Sequence, residues 1–193
     1  MNFLAHAYLA DGSAESLVGS LMGDFVKGPL DGRHGPALTR AMILHRRVDS
    51  YTDAHPVVVG SRARVSPARR RYAGILVDLF FDHFLARHWE DYSDLALEAF
   101  TAGVYEALRH NHALLPERLQ FIAPRMAAMD WLASYRQVDA ISLALDRMGE
   151  RLKRGNALLG SATELAANYG AFEADFRTFF PDVVRFARVQ QEQ

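Results

Sequence analysis

The sequence contains no cysteine, and this absence limits both its covalent chemistry and the metal sites that it can build. Disulfide bonds and thiol nucleophiles are excluded. Any metal ion would have to be bound by histidine and carboxylate side chains. The chain is well supplied with these, having eight histidines and 23 aspartates and glutamates.

Long apolar runs are also missing. The longest, from Gly74 to Leu85, is interrupted by Asp78, Asp82 and His83, whereas a membrane-spanning helix needs roughly 18 to 20 apolar residues in a row. The first ten residues are apolar but have no basic segment before them, which is unlike a signal peptide. We therefore expect no membrane span and a cytoplasmic location.

Signatures of several enzyme classes are absent as well. The sequence has no glycine-rich phosphate loop, no dinucleotide fingerprint and no serine nucleophile elbow in the required context. This argues against a P-loop nucleotide hydrolase and against a serine hydrolase.

Charge is unevenly distributed, although the net charge is only −1. The segment 26–76 carries ten basic residues against three acidic ones. Its densest part, Ser61 to Arg71, holds five arginines, namely Arg62, Arg64, Arg69, Arg70 and Arg71. Because no aromatic residues are interleaved with them, nucleic acid is a poor candidate partner. A compact acidic protein fits better, since single-sign surfaces attract partners of opposite charge.

Apolar residues recur at helical spacing along the whole chain, and no strand-like alternation is sustained. The pattern predicts an all-α fold with a single domain over residues 1–193. The expected helices lie at about 14–26, 36–52, 57–65, 67–88 or 89, 93–111, 116–134, 137–153 and 161–180, with a short helix after Pro181.

Asp78 and Asp82 lie four residues apart in the most apolar helix, so their side chains share one helical face. Two carboxylates in an apolar setting are costly unless cations hold them. A divalent metal would do so, and so would an ion-pair network with Arg46, Arg47 or Arg87. The sequence favours the metal.

His45 and Asp49 share a helical face in the same way, with Asp53 one turn further. An imidazole and a carboxylate at this spacing can bind a metal together, although such pairs also occur by chance on surface helices. Asp24 continues the inward stripe of its helix, and His6 lies in an apolar segment. His83 is a weaker candidate because it is rotated away from the Asp78 and Asp82 face.

Several motifs in order resemble the acyl carrier protein phosphodiesterase family, also called acyl carrier protein hydrolase. They are Met1-Asn-Phe-Leu-Ala-His6, Gly19-x-x-x-Gly-Asp24-Phe-Val-Lys-Gly28, His45-Arg-Arg-Val-Asp49-x-x-Thr-Asp53, Asp78-x-x-x-Asp82-His-Phe-Leu-x-Arg-His-Trp89, Trp131-Leu-x-x-Tyr-Arg136 followed by Met148 and Arg151, and Phe179-x-Pro181. Each motif alone is weak. Their order and spacing over nearly the whole chain make the resemblance specific.

The resemblance implies a variant of the helical HD phosphohydrolase fold with a divalent metal, Mn²⁺ first and Mg²⁺ as an alternative. It implies hydrolysis of the phosphodiester between 4′-phosphopantetheine and a serine of acyl carrier protein, which would be the acidic partner. The HD signature contains an adjacent His-Asp pair, whereas this chain has only the reversed pair Asp82-His83. The ligand set therefore cannot be copied from that superfamily.

From helix geometry we instead expect the metal ligands or their supports to be Asp24, His45, Asp49, Asp78 and Asp82. We expect the catalytic residues to be Asp24, His45, Asp49, Asp82, His83 and His6. Lys27, Arg46 and Arg47 are expected to bind phosphate oxygens, and the five arginines of the 61–71 run to bind the carrier protein. Two alternatives remain at this point: a phosphohydrolase of a small nucleotide or phosphate ester, and a non-catalytic helical module that binds an acidic partner.

Overall fold

The computed structural model describes residues 1–30, 32–150 and 157–192. Its α-helices are α1 (Phe3–Tyr8), α2 (Ala14–Met22), α3 (Pro36–Ala54), α4 (Pro56–Arg64), α5 (Ala73–Arg87), α6 (Leu97–His110), α7 (Glu117–Ala128), α8 (Trp131–Ser134), α9 (Val138–Gly149), α10 (Ala162–Ala167) and α11 (Tyr169–Gln191). Short 3₁₀ helices cover Pro67–Tyr72, Trp89–Asp91 and His112–Leu114. The described ranges contain no strand, so the all-α prediction is confirmed. Nor do these ranges include a helix that is long and apolar enough to cross a membrane.

Helix α5 lies at the centre of the core, as its nearly continuous apolar sequence predicts. It packs against α11 through phenylalanine rings in edge-on and tilted contacts: Phe80 meets Phe172 at 5.2 Å, and Phe81 meets Phe176 at 5.8 Å between centroids. All four rings are almost completely buried. Complete burial of one such side chain stabilises the fold by about 1.5–3 kcal/mol.

Helix α1 is short, and a side chain of α5 supports its start. The backbone N–H groups of Leu4 and Ala5 donate to the two carboxylate oxygens of Asp82, at 2.9 and 3.1 Å. These N–H groups have no acceptor within their own helix, so Asp82 satisfies them in the way that a capping residue would. A six-residue helix is marginal by itself. This long-range contact therefore fixes α1, and with it His6, against the core.

Helices α2 and α3 approach each other closely because two glycines face α3. A Cβ added at Gly19 would lie 2.5 Å from the Cβ of Ala41, and one added at Gly23 would lie 2.3 Å from Cγ of His45. Both distances are too short for real Cβ atoms. The Gly19-x-x-x-Gly23 spacing therefore brings the start of the Asp24 turn directly against His45.

Several predicted helix boundaries are wrong, each for a local reason. The segment expected to be one helix from residue 67 begins as a 3₁₀ helix, and α5 starts only at Ala73. Helix α7 ends at Ala128 because Asp130 adopts a left-handed conformation, with φ of 40°. Pro181 does not start a new helix; α11 continues through it, since buried residues on both sides, Phe180 and Val183, anchor the chain to the core. The 137–153 helix was expected to end at residues 151–153, which lie outside the described residues. Arg151, the last residue of the Trp131 motif, lies outside them too.

Candidate metal centre

Three side chains from two helices lie close together: His6 of α1, and His45 and Asp49 of α3. Nε2 of His6 lies 3.0 Å from Oδ1 of Asp49, and Nε2 of His45 lies 3.2 Å from Oδ2 of the same carboxylate. The two imidazole rings stack at 3.8 Å between centroids. Their ligand atoms all lie within 4.8 Å of one another, which makes His6, His45 and Asp49 the group in the described residues that could hold a metal ion.

The backbone fixes the orientation of the His45 ring. Its Nδ1 lies 2.7 Å from the carbonyl oxygen of Ser20, and because a carbonyl only accepts, Nδ1–H must be the donor. Metal-binding histidines usually have this second hydrogen bond, which directs the other nitrogen at the metal. In the neutral ring, Nε2 then carries a lone pair and faces Asp49.

This arrangement places acceptor atoms against one another. In the neutral ring, Nε2 of His45 lies 3.2 Å from Asp49 and 3.7 Å from Oδ1 of Asp24, yet an ionised carboxylate can only accept hydrogen bonds. A cation must lie between them: a proton on Nε2, or a metal ion in its place. The donor set of two imidazoles and carboxylate oxygens suits a borderline divalent cation.

The pKa shifts follow from the same geometry. Burial, together with the neighbouring His45, lowers the pKa of His6 to about 4, so His6 is neutral at pH 7. Burial alone would lower the pKa of His45 too, but its interactions with Asp24 and Asp49 outweigh this and raise the pKa to about 9. For Asp49, burial opposes ionisation, yet the hydrogen bonds from His45 and His6 hold its pKa well below the ordinary range. The group is thus one anionic carboxylate between a neutral and a protonated imidazole.

Asp24 lies at the open side of this group. It occupies the turn that follows α2, and its side chain keeps 41% of its surface exposed while facing Nε2 of His45. Burial would raise its pKa, but the interaction with His45 outweighs this and lowers it. Asp24 is therefore an ionised carboxylate that both solvent and a substrate can reach.

Asp78 lies beside the group and has cations of its own. The α-amino group of Met1 is 3.2 Å from Oδ1 of Asp78 and 3.5 Å from Oδ1 of Asp49, so it bridges the two carboxylates. Arg62 of α4 is 4.0 Å from Asp78 and 2.5 Å from Asp53. The arginine near Asp78 is thus Arg62, and not one of the three arginines that the sequence suggested.

The structure does not bring Asp82 or His83 into the group. Asp82 is completely buried with both oxygens on the backbone of α1, and burial raises its pKa to about 7 despite those hydrogen bonds. His83 points elsewhere, with Nδ1 2.8 Å from the carbonyl of Tyr135 and Nε2 2.9 Å from the hydroxyl of Tyr169. Of the predicted ligands, His45 and Asp49 lie in the group, and His6 is its third member. The roles predicted for Asp24, Asp78, Asp82 and His83 stay predictions.

The three residues expected to bind phosphate are differently placed. Arg46 donates from Nη2 to the carbonyl of Val26 at 2.8 Å, which holds its guanidinium beside the Asp24 turn. Lys27 is exposed in the same segment. Arg47 instead donates to Gln190 of α11 at 2.8 Å, which directs it away from that turn.

Three of the five arginines expected to bind a partner form ion pairs with acidic residues of the chain. Arg62 pairs with Asp53, and Arg64 pairs with Asp175 at 2.9 Å. Arg69 donates to Glu164 at 3.2 Å and to the carbonyl of Ala157 at 3.1 Å. The remaining two, Arg70 and Arg71, are exposed: Arg70 donates to the carbonyl of Val65, and Arg71 lies over the ring of Tyr72. Part of the 61–71 run therefore connects elements of the fold through internal ion pairs.

Sequence reasoning missed two parts of this site. The carbonyl of Ser20, which orients His45, cannot be identified from a side-chain pattern. Gly23 could have been found, because a Gly-x-x-x-Gly spacing in a helix favours close packing against a neighbouring element.

Comparison with known proteins points to one family over nearly the whole chain. A family model described as acyl carrier protein phosphodiesterase matches residues 1–183. Proteins named acyl carrier protein phosphodiesterase from Pectobacterium atrosepticum and Serratia proteamaculans are 38% and 37% identical over 99% of this chain and all of their own length. The protein of that name from an Escherichia coli strain is 36% identical over 97% of both chains. No solved structure matches. The chain therefore belongs to the acyl carrier protein phosphodiesterase family.

Proposed function

We propose that this chain is a divalent-metal-dependent phosphodiesterase that releases 4′-phosphopantetheine from the serine of holo-acyl carrier protein. The names of its relatives support the substrate. The observation that carries the chemistry is the convergence of His6, His45 and Asp49 on one point. We propose Mn²⁺ as the cation, with Mg²⁺ as the alternative, because the donors are nitrogen and carboxylate oxygen without sulfur.

His6, His45 and Asp49 would hold this cation, with Asp24 at its open side. When bound, a divalent cation neutralises phosphodiester charge and makes a water molecule acidic enough to react near pH 7. The chain's own contribution is to keep the imidazoles in place: Ser20 orients His45, and Asp82 anchors the helix that carries His6. Asp24, ionised and half-exposed, is placed to accept a hydrogen bond from the attacking water.

Arg46 and Lys27 are the groups that we propose for the non-bridging phosphate oxygens. Both lie beside the turn that carries Asp24, and Arg46 is already fixed there by Val26. A guanidinium keeps further N–H donors after making one such bond, and it matches phosphate geometry well. Arg47 is a weaker candidate because it contacts α11 instead.

We also propose that the family is a variant of the HD phosphohydrolases, active in the cytoplasm. A helical fold with histidine and aspartate donors supports this relationship. The order of the donors differs from the HD signature, since His45 and Asp49 lie one helical turn apart instead of side by side.

The test is to incubate the purified chain with holo-acyl carrier protein and Mn²⁺ and to weigh the carrier protein by mass spectrometry. We expect loss of the phosphopantetheine mass, no loss after treatment with a chelator, and recovery when Mn²⁺ is restored. Nucleotides and simple phosphate monoesters, assayed in parallel, test the alternative substrates. Turnover of those compounds with an intact holo-carrier would mean that the proposed substrate is wrong.

A further inference from the structure

An apolar pocket of about 360 Å³ lies between α7, α8 and α9 on one side and the start of α1 on the other. We call it the Trp131 pocket. Its lining includes Phe3, Phe25, Ile122, Trp131, Ala144 and Met148. The volume is at the lower end of the range for small-molecule sites, which are mostly apolar with a few polar groups.

The wall formed by Phe3 and Phe25 belongs to the segments that build the metal centre. Phe3 and His6 are three residues apart in α1, so they are neighbours on the helix surface. Phe25 directly follows Asp24, and the rings of Phe3 and Phe25 stack at 6.0 Å between centroids. The pocket therefore begins beside the proposed phosphodiester position, and a group attached to that phosphate could enter it.

The opposite wall contains an unused hydrogen-bond donor. Trp131 lines the pocket, and its indole N–H is buried without an acceptor among the described residues. Leaving a buried donor unpaired is costly, so a ligand that offers an acceptor at this wall would be favoured once the ring turns its N–H towards the pocket. Arg118 and Arg147 add cationic groups to the same lining.

The part of the substrate that combines these properties is the pantetheine arm. It is attached to the phosphate, it has methyl and methylene groups for an apolar wall, and its two amide carbonyls are acceptors for an indole N–H. A hydrocarbon chain would match the apolar wall but would leave the indole unpaired. We propose, on the basis of the function proposed above, that the Trp131 pocket binds the pantetheine arm while the phosphodiester lies at the metal centre.

Two substitutions test the pocket, and a third controls for them. Ala144→Phe fills the space from α9, and Trp131→Phe removes the indole N–H while keeping an aromatic ring. The control, Ala127→Phe, adds the same side chain at an exposed position of α7 outside the lining. Thermal unfolding of each variant establishes that it is folded.

The first measurement is calorimetric titration with pantetheine, which lacks the phosphate and needs no turnover. Binding to the wild-type chain should weaken at least 10-fold in Ala144→Phe, since lost pocket contacts of this size change affinity by about 10–200-fold. Trp131→Phe should weaken binding by roughly 5-fold, the value of one hydrogen bond. Ala127→Phe should bind as the wild type does. Absence of pantetheine binding to the wild-type chain, or equal binding by all four proteins, overturns the proposal.

The second measurement is kcat/KM for holo-acyl carrier protein, which separates this proposal from the proposed function. If the wild type cleaves the carrier but Ala144→Phe cleaves it equally well, the function stands and the pocket assignment is wrong. If Ala144→Phe impairs only carriers with a long acyl group, the pocket holds the acyl chain instead. If it impairs cleavage without affecting pantetheine binding, the pocket receives the body of the carrier. Each of these outcomes also overturns the proposal.

Discussion

Replacing Gly23 with alanine should disable the proposed metal centre while leaving most of the fold intact. The added Cβ would lie 2.3 Å from Cγ, 2.4 Å from Cδ2 and 2.7 Å from Nδ1 of His45. Ordinary van der Waals contact begins at 3.4 Å, so the ring or the turn must move by about 1 Å. The backbone at Gly23 is in the right-handed helical region, with φ of −53°, so the conformation itself does not oppose alanine.

A movement of this size would disturb the hydrogen bond that orients the His45 ring. Nδ1 of His45 lies only 2.7 Å from the carbonyl of Ser20, and Nε2 on the other side of the ring faces Asp49 and Asp24. The ring cannot retreat from Gly23 and keep both sets of contacts. A misplacement of about 1 Å in a catalytic group typically costs about 10²-fold in rate, and overpacking costs about 1–3 kcal/mol of stability. We expect both losses in Gly23→Ala.

The matched control is Gly103→Ala. Gly103 lies inside α6, and nothing is within 4 Å of a Cβ added there. Alanine at this position should stabilise the chain by about 0.5–1 kcal/mol and leave kcat unchanged. The assays are Mn²⁺-dependent cleavage of holo-acyl carrier protein and thermal unfolding. Wild-type turnover by Gly23→Ala would refute the argument that close packing on Gly23 positions His45.

Metal titration, pH dependence and charge reversal each test a further part of the structure. His45→Ala should lower both Mn²⁺ affinity and kcat by at least about 10²-fold, measured by metal titration and product mass, whereas unchanged metal binding would remove His45 from the ligand set. In metal-free protein, the pKa of His45 is raised to about 9, so its contribution to stability is complete below about pH 6.5 and is lost as the pH rises through 9. The free energy of unfolding should therefore fall by at most about 1.4 kcal/mol per pH unit across that window, and a slope that persists in His45→Ala would contradict this assignment. Arg70→Glu with Arg71→Glu should lower kcat/KM for the carrier at low salt without changing thermal stability, whereas Arg69→Glu should destabilise the chain because Arg69 binds Glu164; equal unfolding temperatures of the two variants would be inconsistent with this division.

The fold class and the α3 pair of the site could be predicted because both depend on local periodicity. A four-residue spacing in a strongly helical segment is enough to place His45 and Asp49 on one face. The same reasoning says little about His6, because it lies alone in an apolar segment and α1 was not expected as a helix. Its formation depends on Asp82, which is 78 residues from Leu4 along the chain. Contacts of that kind have no periodic signal.

The Asp78 and Asp82 pair shows where a correct physical premise led to an incomplete conclusion. Two carboxylates in an apolar helix do need compensation, but the fold supplies it in two separate ways. Asp78 lies beside the amino group of Met1 and near Arg62, and Asp82 accepts two backbone N–H bonds. The sequence could show that cations or donors were needed. It could not show which distant groups would provide them.

The arginine run illustrates the same limit at the surface. Counting charges along 61–71 treats every guanidinium as available to a partner, yet Arg64 is paired with Asp175 of α11 and Arg69 with Glu164 of α10. Exposed pairs of this kind contribute little stability individually, about 0–1 kcal/mol. The Glu164 carboxylate, however, is largely buried and also accepts from Ser66, so removing Arg69 leaves a buried charge with less compensation. Electrostatic attraction of an acidic carrier would then depend mainly on Arg70 and Arg71, which have no acidic partner among the described residues, and on Arg46 and Lys27 beside the proposed metal centre. These two pairs should act differently: Arg70 and Arg71 on the salt-dependent rate of association, and Arg46 and Lys27 on the chemical step.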